Sequence, residues 1–329
     1  MGWIDLTAIA LMFAATPLAG QESKPEPVTP ASAVAASTAS EWVPIDPADL
    51  LVMDLAPDTK GAEREVIVQL IPPPFSQGWV GNVRTLARAH WWDGTSVYRV
   101  VDNWVAQWGD GEDDPKKARP LPAGIAKAPP ANFTAPLPCK VYLFQKKVLT
   151  EECDPSVTPL EGIDPYVLKG QTGFAAGWPV AFALEGDGNR IWPTHCYGTV
   201  GVARDIDNAG TGAELYAVIG QAPRQLDRNI AVVGRVIEGI ENLSTLPRGR
   251  GEAGVYHDAA LRVPIVSVRL GSELPVGEQP RFEYLATDGK SFANYVHLKA
   301  NRNDGFYKVP AGGIDVCNVQ VPVRRVGAK

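Results

Sequence analysis

Short segments rich in β-branched residues recur along the chain and restrict its fold more than any other feature. The segment EVIVQL at 65–70 alternates in polarity, which is typical of a half-buried strand. The predicted strands are 50–55, 65–70, 97–107 (with a bend), 199–203, 214–219, 231–236 and 263–270. Helices are predicted at 77–90 and 238–246. Short strands with two helices indicate a mainly β protein, an antiparallel barrel with helices capping it.

Size and charge narrow the class of protein. The chain has 329 residues, 45% of them hydrophobic, which suffices for one large domain or one domain with insertions. The net charge is -6 and the sequence contains no basic block or stripe. Nucleic acid is therefore excluded as an expected partner.

The amino terminus has the composition of an export signal. Residues 1–20 carry an apolar run followed by small residues, and we expect cleavage near Ala19 or Gly20. The run is too short to span a membrane, so no span is expected after cleavage. A mis-assigned start or a buried helix is the alternative interpretation. Residues 21–45, rich in Pro, Ala, Ser and Thr, are expected to be a flexible linker, and the protein to be periplasmic or secreted.

Four cysteines are disulfide candidates in such an oxidising compartment. They are Cys139, Cys153, Cys196 and Cys317. Three pairings are open, and we favour Cys139–Cys153 with Cys196–Cys317. His195 precedes Cys196, but no second catalytic partner is visible, so a disulfide is preferred to a reactive thiol. A metal site lacks CxxC or HxxxH spacing, and neither metal nor cofactor is expected.

Pattern changes divide the chain further. The main domain is predicted at 46–273, interrupted by a long, loop-rich insertion at about 111–194 with many prolines and charges. One short strand, 140–145, is predicted inside the insertion. Residues 274–329 are expected to form a carboxyl-terminal extension packed on the domain. Residues 248–254, although they contain GRGEAG, follow a helix and are interpreted as a loop.

One stretch places a permanent charge among apolar residues. In SVYRVVDNWVAQWGD, at 96–110, Arg99 lies within a predicted strand and Gln107 follows eight positions later. Without the surrounding motif, Arg99 would be interpreted as a surface residue in a salt bridge. Gln107 would be interpreted as a buried amide bonded to backbone. Their context in longer motifs gives them another meaning.

Two blocks resemble the cyclophilin-type peptidyl-prolyl isomerases. WDGTSVYRVVDNWVAQWGD at 92–110 is similar to the family signature, which combines a Tyr-Asp-Gly turn, Phe-His-Arg-Val and Gln-Gly-Gly-Asp. The block at 197–243 resembles the series Met-Ala, Gln-Phe-Phe, Leu-Asp and Val-Phe-Gly. The helix with Val80, Asn82 and Leu86 fits a third family pattern. The resemblance implies a closed antiparallel eight-stranded barrel capped by two helices.

The resemblance also implies a chemistry. Members bind proline in an apolar pocket and weaken the conjugation of the preceding amide, whose isomerisation barrier is roughly 18–20 kcal/mol, with an arginine donor. Arg99 matches that arginine, and Gln107 matches the glutamine that orients it. The implied substrate-binding residues are Trp104, Val105, Ala203, Glu214, Tyr216, Leu226 and Ile230. The expected partners are proline-containing polypeptides, with no cofactor, and the chain is expected to be a monomer.

Several positions depart from the family pattern. They are Tyr98 for His, Trp104 and Tyr216 for Phe, Trp108 for Gly, Val202 for Met, Glu214 for Gln, Gln225 for Trp and Ile230 for His. Two hypotheses follow. The first is an isomerase that assists the folding of exported proteins and whose activity the changed pocket can reduce. The second is a catalytically weak or inactive cyclophilin-like binding or chaperone module.

Overall fold

The structure is a computed structural model. It describes residues 28–112, 114, 116–128, 133–137, 139–144, 147–153, 157–160, 164–167, 170–185, 188–303 and 306–327. The predicted signal segment, 1–20, lies outside these residues. Within the described ranges, no helix is both long enough and apolar enough to cross a membrane.

Strands dominate the secondary structure. They are β1 (Trp42–Ile45), β2 (Leu50–Leu55), β3 (Arg64–Leu70), β4 (Ser96–Val100), β5 (Val105–Gly109), β6 (Ala135–Pro136), β7 (Cys139–Phe144), β8 (Lys147–Cys153), β9 (Val157–Pro159), β10 (Gly170–Ala175), β11 (Trp178–Glu185), β12 (Gly188–Pro193), β13 (Thr199–Val202), β14 (Leu215–Val218), β15 (Val232–Glu238), β16 (Val263–Leu270), β17 (Phe282–Leu285) and β18 (Val323–Arg325). The helices are α1 (Pro30–Ala35), α2 (Gln77–Arg88), α3 (Glu241–Ser244) and α4 (Lys290–Ala300).

Eight of these strands close into an antiparallel barrel. Their order around the barrel is β13-β14-β5-β4-β16-β2-β3-β15, and β15 pairs again with β13. Inward-facing residues such as Met53, Val66 and Val68 join one large hydrophobic core. The predicted eight-stranded barrel is therefore confirmed.

Helix α2 packs on this core as its periodicity predicts. Trp79, Val80, Val83 and Leu86 lie on one face and are fully buried. The second predicted helix, 238–246, is mostly wrong, because α3 is only one turn long. Gly239, in a left-handed conformation (φ +80°), precedes it, and β15 continues to Glu238.

The insertion is more regular than expected. Strands β6, β12, β11, β10 and β9 form a five-stranded antiparallel sheet, and β7 pairs with β8. The strand predicted at 140–145 is confirmed as β7, whereas the expectation that the insertion is otherwise loop-rich is wrong. Pro136 and Pro159 lie in the two edge strands, where a missing N–H is tolerated. The central strands bury Phe174, Phe182 and Trp192.

Both ends of the described chain meet in one small sheet. Strand β17 of the carboxyl-terminal extension pairs with β1 on one side and β18 on the other. Helix α1 packs on α4. The expectation of a flexible linker over 21–45 is therefore wrong for residues 30–45. Trp42 and Ile45 bury their side chains against the extension and the barrel, which provides the hydrophobic stabilisation that a linker lacks.

The structure shows a disulfide for one of the two predicted cysteine pairs. Cys196 and Cys317 form a disulfide that joins the extension to the chain just before β13. Cys139 and Cys153 are Cα partners in the β7–β8 hairpin. Their side chains lie outside the described part, so their disulfide stays a prediction.

The extension is held to the insertion by aromatic packing, which makes a matched test available. Phe292 of α4 is 1% exposed and meets Phe174 edge-on, with ring centroids 4.9 Å apart. We expect Phe292→Ala to lower the free energy of unfolding by about 3–5 kcal/mol in urea denaturation. Phe306→Ala is the control, because Phe306 is 84% exposed. This substitution should change the free energy of unfolding by about 0.5 kcal/mol or less. Equal effects would contradict this packing.

Candidate functional site

A groove on the outside of the barrel brings the predicted site residues together. Its cavity measures about 770 Å³ and runs past β4, β5 and β14. All nine residues predicted for catalysis or substrate binding line it: Arg99, Trp104, Val105, Gln107, Ala203, Glu214, Tyr216, Leu226 and Ile230. Residues separated by more than a hundred positions thus share one surface because the barrel closes.

Arg99 and Gln107 form the polar centre of this groove. They are cross-strand partners on β4 and β5, and a bulge between Val97 and Arg99 sets their alignment. Arg99 Nη1 donates to Gln107 Oε1 at 2.7 Å. The guanidinium carbon also lies 5.3 Å from the centre of the Trp104 ring, which is a cation–π contact. Partial burial lowers the pKa of Arg99, but an arginine stays charged at physiological pH.

A backbone carbonyl holds the other side of the guanidinium. Arg99 Nε donates to the Ala253 carbonyl at 2.6 Å, and the Arg99 backbone bridges to Val255. The predicted loop at 248–254 is therefore part of the site. Sequence reasoning missed this role because a carbonyl contributed by a loop leaves no side-chain signal. Among the described residues, no acceptor contacts Arg99 Nη2, so this nitrogen remains available to a ligand.

Two departures from the family pattern meet behind Gln107. The Gln107 amide donates from Nε2 to the Tyr98 hydroxyl, while its Oε1 accepts from Arg99. The charge of Glu214 acts on Tyr98, and burial first and this charge second raise the pKa of the phenol. Gly111 (φ +61°) lies against the Tyr98 ring, where a Cβ would come within 2.7 Å of Cγ. Tyr98 therefore fixes the orientation of the glutamine.

Glu214 is a mostly buried carboxylate. Its Oε1 accepts from the Asp110 backbone N–H at 2.8 Å, whereas Oε2 is buried and has no hydrogen-bond partner among the described residues. Burial raises the pKa of this carboxyl group, and the hydrogen bonds offset only part of that effect. The loop before Glu214 is held from behind by two indoles: Trp79 Nε1 donates to the Gly210 carbonyl at 3.0 Å and Trp92 Nε1 to Ala213 at 2.8 Å.

An apolar pocket adjoins the guanidinium. Val105, Tyr216 and Val218 are buried at its base, and the rest of the cluster surrounds them. The surrounding members are Val101, Trp104, Ala203, Leu226 and Ile230. A charged donor beside a small apolar pocket can bind an apolar ring while it contacts a neighbouring amide.

The closed eight-stranded barrel thus carries an arginine–glutamine pair beside an apolar pocket on its outer surface. The family model described as cyclophilin type peptidyl-prolyl cis-trans isomerase/CLD matches residues 78–270. The chain belongs to this family and is a peptidyl-prolyl cis-trans isomerase.

The solved structures agree on the fold. The chain is similar to the crystal structure of cyclophilin AquaCyp293 from Hirschia baltica, with a TM-score of 0.63 and 21% sequence identity. The match covers 92% of this chain and 99% of that chain, so it includes the insertion and the extension. The search of curated proteins found no match.

One group of residues near the pocket was not predicted. His195, considered only as the neighbour of a cysteine, bonds to the Tyr216 hydroxyl and to Asp227. Its side chain is fully buried. In the sequence, the Leu-Asp motif at 226–227 marks Asp227. It does not indicate that a histidine is its partner.

The partly buried Glu214 carboxyl group makes the stability of the protein depend on pH. Its folded pKa lies above the unfolded value of about 4.3, so ionisation in the folded state costs free energy as the pH rises through the folded pKa. We expect Glu214→Gln to be more stable than wild type at pH 8 and to lose that advantage near pH 4, in urea unfolding. Exposed Glu278→Gln is the control. An equal difference at both pH values would contradict this assignment.

Proposed function

We propose that Arg99 catalyses the isomerisation of X-Pro bonds by donating hydrogen bonds to the reacting amide. The planar amide resists rotation because its C–N bond has partial double-bond character, with a barrier of about 18–20 kcal/mol. In the twisted transition state the prolyl nitrogen becomes pyramidal and accepts a hydrogen bond. A fixed donor at that nitrogen stabilises the transition state more than the planar ground state.

The observation that carries this proposal is the fixed guanidinium at the edge of the apolar pocket. Gln107 Oε1, the Ala253 carbonyl and the Trp104 ring hold three sides of it. Its orientation is thus set before substrate arrives, which avoids reorganisation during the reaction. Lysine would not reproduce this arrangement, because its ammonium lacks the planar fork of donors.

The pocket beside Arg99 is proposed to hold the proline ring. Tyr216 and Val105 would form its floor, while Trp104, Leu226 and Ile230 would form its sides. Ala203 and Glu214 line the groove on either side of this pocket. Burial of an apolar ring there supplies binding energy without any covalent step, metal or cofactor.

Exported proteins are the proposed substrates, with the protein in the periplasm or secreted. Two features support this compartment: the apolar run and small residues at 1–20, and the disulfide between Cys196 and Cys317. The clients would be polypeptides whose folding waits for a prolyl isomerisation, a step that takes tens to hundreds of seconds uncatalysed. A monomer suffices for this role, because one chain supplies every residue of the proposed site.

Arg99→Ala tests the proposed catalysis. We expect about a 100-fold or greater loss of kcat/KM in a peptide isomerisation assay, as for removal of other preorganised donors. Arg99→Lys should recover little of it. Arg88→Ala is the control, because Arg88 is 57% exposed in its ion pair and lies outside the groove. Full activity in a folded Arg99→Ala protein would refute the role given to Arg99.

Export is tested separately, on the chain as it is synthesised. When the full chain is expressed in a Gram-negative host, we expect the mature protein in the periplasmic fraction, with a new amino terminus near residue 20 by mass spectrometry. Deletion of residues 2–20 should leave the protein in the cytoplasm. An unprocessed wild-type chain in the cytoplasm would contradict the proposed compartment.

A further inference from the structure

A continuous series of buried polar side chains leads from the pocket floor into the insertion. Tyr216, His195, Asp227, Arg224 and Asp164 follow one another by direct hydrogen bonds. Each of the five is less than 9% exposed. Buried polar and charged groups are costly unless they are paired, and here each member pairs with the next. The five are named the buried polar network below.

The histidine is the central member. Its Nε2 lies 3.1 Å from the Tyr216 hydroxyl, and its Nδ1 lies 3.0 Å from Asp227 Oδ1. The same Asp227 oxygen also accepts the His195 backbone N–H at 2.8 Å. A carboxylate only accepts hydrogen bonds, so Nδ1 donates to Asp227, which leaves Nε2 to pair with the Tyr216 hydroxyl. Burial raises the pKa of Tyr216, which keeps the phenol in its donor form.

The arginine extends the network to the insertion. Arg224 Nε donates to Asp227 Oδ2 at 2.6 Å, and its Nη1 donates to Asp164 Oδ2 at 2.9 Å. Its guanidinium also lies over the ring of Tyr166, 5.2 Å from the centroid. Asp164 and Tyr166 belong to the insertion, whereas Arg224 and Asp227 flank the pocket residue Leu226. The insertion therefore supplies one of the two carboxylates that pair with a charge next to the pocket.

Tyr216 is the only member of the network that lines the groove. Its ring lies directly over Gly201 on the paired strand β13, where a Cβ would overlap the ring and the hydroxyl. With a phenylalanine at 216, His195 Nε2 would lose its partner. The hydroxyl thus anchors the edge of the ring that is remote from the backbone, while the face of the ring remains part of the pocket.

We propose that His195 is a positioning residue that fixes the Tyr216 ring as the floor of the proline pocket, and that the insertion supports it through Asp164. The inference rests on the proposed function, in which this pocket receives proline. The insertion then contributes to substrate binding without contacting the substrate. Because the floor contacts proline in both ground and transition states, its displacement raises KM more than it lowers kcat.

The test is a double-mutant cycle on the full chain, with Asp164→Asn and Tyr216→Phe as the single variants. The measured quantities are KM and kcat for an Ala-Pro peptide and, separately, Kd from an NMR titration with the same peptide. In the protein that retains Tyr216, we expect Asp164→Asn to raise KM and Kd about fivefold. A change of this size lies within the range of coupling energies measured between residues of one hydrogen-bond network. In the Tyr216→Phe background, where the hydroxyl link is absent, Asp164→Asn should change neither by more than about 1.5-fold. His195→Gln should behave as Asp164→Asn does.

The controls separate positioning from general destabilisation. Asp288→Asn removes an exposed carboxylate outside the groove and should leave KM unchanged. Equal losses from Asp164→Asn in both backgrounds, or no loss in a folded protein, would overturn the network while leaving the proposed function intact. A wild-type protein that neither binds nor isomerises the peptide would overturn the proposed function and the inference together.

Discussion

The hydrogen bond from Arg99 to Gln107 is the contact on which the rest of the site depends. A guanidinium at the rim of an apolar pocket loses much of its hydration and must recover that loss from fixed acceptors. Gln107 on the neighbouring strand, the Ala253 carbonyl and the Trp104 ring provide this compensation. The pairing of β4 with β5 places Gln107 opposite Arg99, and the register shifts at a bulge just before this pair.

The substitutions that distinguish this site from the family pattern are structurally connected. Tyr98 replaces the family's histidine, and its hydroxyl accepts the Gln107 Nε2–H from behind, which orients the glutamine. Glu214 replaces glutamine and accepts a hydrogen bond from the Asp110 backbone N–H, in the loop after β5. Tyr216 adds a hydroxyl to the pocket floor and engages His195. Tyr98 and Tyr216 each bond to a buried side chain, and Glu214 accepts a backbone N–H with one of its oxygens. The changes therefore modify how the pocket is held rather than remove the groups proposed for catalysis.

The barrel and the groove residues could be predicted because their signals are local. Strands such as β3 and β16 are rich in β-branched residues, and the motif around Arg99 is contiguous. The sheet of the insertion was missed because proline and glycine interrupt the alternation of polar and apolar residues in its sequence. Pro136 and Pro159 lie in the edge strands, where a missing N–H does not break the sheet. The buried polar network could not be predicted, since it depends on tertiary pairing: Arg224 and Asp164 are 60 residues apart in the sequence.

A crystal structure of the wild-type protein with an Ala-Pro peptide in the groove would test the central claim most directly. We expect the proline ring to lie between Val105, Tyr216 and Leu226, with an Arg99 nitrogen within about 3.2 Å of the X-Pro amide. The bonds from Arg99 to Gln107 and Ala253 should be unchanged, because the donor is held before binding. A peptide bound outside this pocket, or an Arg99 side chain turned away from the amide, would contradict the proposed catalysis.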